Sequence, residues 1–66
     1  MASRTVSEQF RRLDEFNSLL AAAELNASND WEMSFTADLS ANYQRWGGEM
    51  YLSDSQLQNL ERIANQ

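Results

Sequence analysis

Apolar side chains return every three or four residues through most of the chain, the spacing that gathers them on one helix face. Val6, Phe10, Leu13, Phe16, Leu20 and Ala23 form the first stripe, which Gln9 and Asn17 interrupt. It predicts a helix over about 7–25, opened by a capping box in which Thr5 and Glu8 satisfy reciprocal backbone N–H groups. On the outer face, Glu8 precedes Arg12 by four residues and Arg11 precedes Glu15 by four, the spacing of weak ion pairs. Asn26-Ala27-Ser28-Asn29 closes the helix, because short polar side chains compete for its backbone hydrogen bonds.

A second helix is expected over about 30–46. Asn29 caps it, and Asp30 and Glu32 suit the positive end of its dipole. Trp31, Phe35, Leu39, Tyr43 and Trp46 recur at helical spacing as one aromatic ridge, with Phe35 and Leu39 expected in the core. Met33, Ala37, Ser40 and Ala41 make a face of mostly small residues, which would let a neighbouring helix approach closely. Gly47 is placed as a left-handed C-terminal cap, and Glu49-Met50-Tyr51-Leu52 reads as an extended connector. The third helix, about 54–64, has Ser53 and Gln56 as its capping box and Leu52 and Leu57 at the staple positions. Leu57, Leu60, Ile63 and Ala64 face one way along it. The pattern specifies one all-α domain over 1–66, a small three-helix bundle with no internal repeat and no dividing linker.

Length makes that bundle thin, since a chain of this size buries only about 60 % of the surface it exposes when unfolded. Disulfides, thiolate metal sites and imidazole ligands are excluded, because the chain has no Cys and no His. No acidic stretch has calcium-loop spacing, so neither a metal nor a cofactor is expected. Well-packed aromatics, or a second copy of the chain as a homodimer, remain as ways to complete the core. The polar start Met1-Ala2-Ser3-Arg4 and the short apolar run Leu19–Ala23 carry neither signal peptide nor membrane span, so a cytoplasmic protein is expected.

Charge narrows the function. The net charge is −5, all five cations are Arg, and the excess of acid lies entirely in residues 24–66. Phosphate binding draws on clustered Lys and Arg, so direct nucleic-acid binding becomes a minor reading. An acidic surface can instead attract a basic partner, such as a nucleic-acid-binding protein, or simply keep the chain soluble. Without His, Cys or Lys, the commonest catalytic bases and nucleophiles are missing. The pairs Asp14-Glu15 and Asp30/Glu32 would need burial to acquire catalytic pKa values, which a chain this small struggles to supply. A noncatalytic protein is expected.

Candidate contacts follow. Tyr43, Arg45, Trp46, Met50 and Tyr51 combine the residue types of an interface anchor, although packing between the second and third helices accounts for them too. Arg4, Arg11 and Arg12 could touch phosphates or a second copy, or form a solvated face. Glu24, Asp30, Glu32, Asp38, Glu49 and Asp54 could imitate a phosphate backbone, but the array is sparse.

Asp30-Trp31-Glu32, Phe35, Asp38-Leu39, Tyr43, Trp46-Gly47, Leu52-Ser53, Gln56, Leu60 and Ile63-Ala64 resemble a pattern in small phage and prophage proteins. There a helix of the form WE…F…L leads through a glycine to LS..Q…L..I. The resemblance spans residues 30–64 and rests largely on capping and core positions. Ser55 departs from it, standing where the family frequently has Lys. It implies a phage-encoded accessory protein acting on host or phage machinery in a bacterial cytoplasm, and brings no catalytic signature. Three functions follow as expectations: an inhibitor or modulator of a nucleic-acid-processing complex that binds protein, a nucleic-acid accessory protein using the N-terminal arginines, and an assembly protein that oligomerises through Met33, Ala37 and Ala41.

Overall fold

The computed structural model describes residues 4–66, so the Met1-Ala2-Ser3 start lies outside the described residues. A two-residue strand β1 (Arg4–Thr5) leads into a single helical turn α1 (Val6–Gln9) and then α2 (Leu13–Asn26). After α3 (Asp30–Trp46) come a 3₁₀ turn at Gly47–Glu49, strand β2 (Tyr51–Leu52) and α4 (Asp54–Ala64). The three longer helices form a small all-α bundle, with α2 packed chiefly on α4 and secondarily on α3. Its radius of gyration, 10.9 Å, is that of a compact chain of this length, about 11 Å.

The caps lie where the sequence puts them. Thr5 and Glu8 complete a box at α1, Asn29 accepts from the Glu32 N–H at 2.8 Å, and Ser53 and Gln56 complete a box at α4. Gly47 ends α3 at φ 59° and ψ −140°, a positive-φ conformation outside the left-handed helical basin. The Glu49–Leu52 connector is extended from Met50 onward, and only its first residue belongs to the 3₁₀ turn. Its second half pairs antiparallel with β1, Arg4 opposite Leu52 and Thr5 opposite Tyr51. This pairing joins the chain's first described residues to its last loop, and local sequence carries no sign of it.

The helix expected over 7–25 is two helices. Phe10 and Arg12 are extended, and Phe10 packs edge-on against Phe16 with ring centroids 5.4 Å apart. In a continuous helix these two members of the stripe would stand about 9 Å apart along the axis and about 120° apart around it, too far for ring contact, so the break makes the contact possible. The expected Glu8–Arg12 and Arg11–Glu15 pairs are absent: Glu8 caps Thr5, and Arg12 grips Asp14 through two bonds of 3.0 and 3.1 Å. Gln9, an interruption in the stripe, has a definite place. Its amide Nε2 donates to the carbonyls of Arg4 (3.1 Å) and Leu52 (2.8 Å), clasping both strands to α1.

The core comprises Val6, Phe16, Leu20, Ala23, Leu39, Met50, Leu52, Leu60 and Ile63, with Phe10, Leu19, Phe35, Tyr43 and Leu57 packed partly buried around it. On α3 the buried positions are Glu32, Thr36 and Leu39, so Trp31 turns outward to stack flat on Phe35 at 5.1 Å. Glu32 is only 3 % exposed, yet its carboxylate is well served. It accepts from the Ser28 N–H (2.9 Å), the Ser28 hydroxyl (3.1 Å) and Arg62 (3.2 Å). The Gln66 side chain, then these Ser28 and Arg62 donors, bring its pKa down to about 2 against the opposing effect of desolvation. The Thr36 hydroxyl turns back to the Glu32 carbonyl at 3.0 Å. This buried carboxylate is therefore tolerated because both its oxygens have donors, one of them the half-exposed Arg62. Met33, Ala37 and Ala41, expected to admit a neighbouring helix, face solvent in the single chain. No helix among the described residues is long and apolar enough to cross a membrane.

Candidate partner-binding groove

Two local features build a groove at the end of α3. The Gly47–Glu49 turn folds back on α1, where the Ser7 hydroxyl donates to the Gly48 carbonyl at 2.6 Å. A Cβ on Gly48 would stand 2.8 Å from Ser7 Oγ and 3.1 Å from Leu13 Cδ2, so the glycine permits this close approach. The Val6 N–H then donates to the Met50 carbonyl at 2.9 Å, fixing the loop against the start of α1.

Between these elements lies an open groove of about 740 Å³ lined by Thr5, Glu8, Asn42, Trp46, Glu49, Met50 and Tyr51. Asn42 and Trp46 are four residues apart and share a face of α3. Trp46 and Tyr51 are 55 % and 68 % exposed, whereas Met50 is 5 % exposed and belongs to the core cluster. Two carboxylates, Glu8 and Glu49, are the charged groups of the lining, which contains no Arg. Glu8 Oε1 accepts from the Thr5 N–H at 2.9 Å and its hydroxyl at 3.1 Å. These bonds, the backbone one foremost, hold its carboxyl below the usual carboxylate range.

The five aromatic-cluster residues singled out in the sequence thus divide. Trp46, Met50 and Tyr51 meet at the groove. Tyr43 turns into the bundle, its ring tilted against Phe16 at a centroid distance of 4.9 Å. Arg45 is exposed outside the lining, and its guanidinium lies over the Trp46 ring, 5.2 Å from the centroid. Met50, buried against its own core, offers a partner little surface. The lining residues missing from the sequence reading are Thr5, Glu8, Asn42 and Glu49. Helical spacing back from Trp46 could have found Asn42, but only tertiary folding carries the N-terminal capping box to this site.

The N-terminal arginines do not present three free cations. Arg12 is taken by Asp14, Arg4 lies 3.9 Å from Asp54, and Arg11 is exposed with no ion pair among the described residues. Nor do the acids form one external array, since Glu32 is internal. Its lowered pKa is opposite to the shift a general acid needs. Among the described residues, no three acidic side chains gather as a metal-binding group would require. Comparison of the chain with known protein families, with characterised proteins and with solved structures finds no match.

Proposed function

We propose that this protein is a noncatalytic protein-binding module, a phage-type inhibitor or modulator of a nucleic-acid-processing complex, acting in the cytoplasm of a bacterial host. The observation that carries the binding reading is the exposure of Trp46 and Tyr51 around one groove. A chain this short has few large side chains with which to build a core, and leaving two aromatics outside forgoes burial that would stabilise it. Exposed aromatics of this kind are the commonest anchors of interfaces. The acidic lining and the net charge of −5 favour a basic partner surface, as nucleic-acid-binding proteins present. The phage-type part of the reading is supported by the sequence resemblance over residues 30–64 alone.

The test is a tagged pull-down from host lysate, with and without nuclease, using the wild type and a Trp46→Ala/Tyr51→Ala variant. A stoichiometric protein held by the wild type after nuclease and lost by a still-helical variant is the expected result. Equal capture by the folded variant places the interface elsewhere. Recovery of nucleic acid alone favours the accessory reading.

A second reading, self-assembly, draws on Leu25, Trp31 and Met33, all exposed on the single chain. Light scattering over a range of concentrations decides it: a mass fixed at 7.6 kDa excludes assembly.

A further inference from the structure

The groove has a chemistry of its own that selects among basic partners. Its lining combines two exposed aromatic side chains, Trp46 and Tyr51, with the buried Met50 and the carboxylates of Glu8 and Glu49. We propose that the groove receives the guanidinium of an arginine carried on a basic segment of the partner protein. The inference rests on the partner-binding reading above and names what that partner inserts.

Three observations support it. A cation near aromatic faces gains from their quadrupoles, most strongly at Trp. Trp46 already holds a guanidinium over its ring within this chain, that of Arg45, which does not line the groove. The carboxylates then supply charge complementarity. Glu8 is anchored by Thr5 through Oε1 alone, leaving Oε2 with no hydrogen-bond partner among the described residues, and Glu49 has no ion pair there. Arginine fits better than lysine, because its planar, weakly hydrated head stacks on rings and offers forked donors to carboxylates. A phosphate would meet two carboxylates and no cation in the lining.

The experiment uses the full chain carrying Trp31→Phe, which leaves Trp46 as the single tryptophan reporter. The probe is an end-capped Gly-Arg-Gly-Arg-Gly peptide, titrated beside the same peptide with citrulline for arginine. Expected is a saturable change in Trp46 fluorescence that weakens at high salt, is lost with citrulline, and weakens about fivefold to tenfold in Glu8→Gln/Glu49→Gln. Glutamine at position 8 keeps an acceptor for the Thr5 cap, and unchanged circular dichroism verifies the fold. Equal binding of the citrulline peptide, or unchanged affinity in the neutralised variant, overturns the proposal. So does failure of the arginine peptide to bind up to millimolar concentration, or stronger binding of a single-stranded oligonucleotide at Trp46. The pull-down separates the two levels: a partner held through Trp46 and Tyr51 but equally by Glu8→Gln/Glu49→Gln preserves the binding module and removes the arginine.

Discussion

Replacing Leu60 by Ala, with Leu25→Ala as its counterpart, measures how the apolar side chains of this bundle divide between core and surface. Leu60 is fully buried on α4, while Leu25, near the end of α2, is 86 % exposed. The Leu60 change deletes the equivalent of three methylenes, about 2.4 kcal/mol of transfer free energy at ~0.8 kcal/mol each. The cavity left behind raises the cost to about 3–5 kcal/mol. A domain of this length has only about 3–10 kcal/mol of stability in total, at ~0.05–0.15 kcal/mol per residue. Leu60→Ala is therefore expected to lower the melting temperature by about 12 °C or more. Leu25→Ala removes little contact and improves helix propensity slightly, so its effect should stay within about 0.5 kcal/mol. Urea unfolding followed by far-UV circular dichroism, at two protein concentrations, gives both values. A Leu60→Ala cost below about 1 kcal/mol would refute the assigned core. A Leu25→Ala cost matching that of Leu60, with a midpoint that rises with concentration, would show that Leu25 is buried in solution by a second copy.

Other predictions follow from particular contacts. Glu32 has a folded pKa near 2 against an ordinary 4.5, so its contribution to stability is complete above the ordinary value and is lost as pH falls from about 4.5 towards 2. The difference in urea midpoint between wild type and Glu32→Gln should shrink through that window, and an unchanged difference would mean that Glu32 does not carry it. Gln9→Leu removes the donor shared by the Arg4 and Leu52 carbonyls and should cost about 1–3 kcal/mol, measured by the same unfolding assay. Gly47→Ala should cost about 1–3 kcal/mol from backbone strain alone, since an added Cβ meets nothing within 4 Å; a neutral result would show that the turn relaxes.

What the sequence alone determined is what acts over one helical turn. The capping boxes at Thr5 and Ser53, the Asn29 cap and the Leu60/Ile63 face need only residues three or four apart, so they are legible from spacing. The same logic placed the boundaries of α3 and α4 and identified the cluster at the end of α3, of which Trp46, Met50 and Tyr51 reach the groove. The remaining features depend on what tertiary folding brings together. Periodicity from Val6 to Ala23 looks continuous, but Phe10 gains contact with Phe16 only when the helix breaks. On α3, hydrophobicity favours burying Trp31 over Glu32; donors from Ser28, Arg62 and Gln66 reverse that choice because they satisfy the buried charge. Pairing of Arg4–Thr5 with Tyr51–Leu52 likewise joins residues nearly fifty positions apart, and through it Glu8 reaches the groove beside Trp46. Spacing along a chain encodes which side chains share a helix face. Which buried groups find partners is decided only when distant segments meet, and in this protein that meeting also brings Thr5 and Glu8 to the groove.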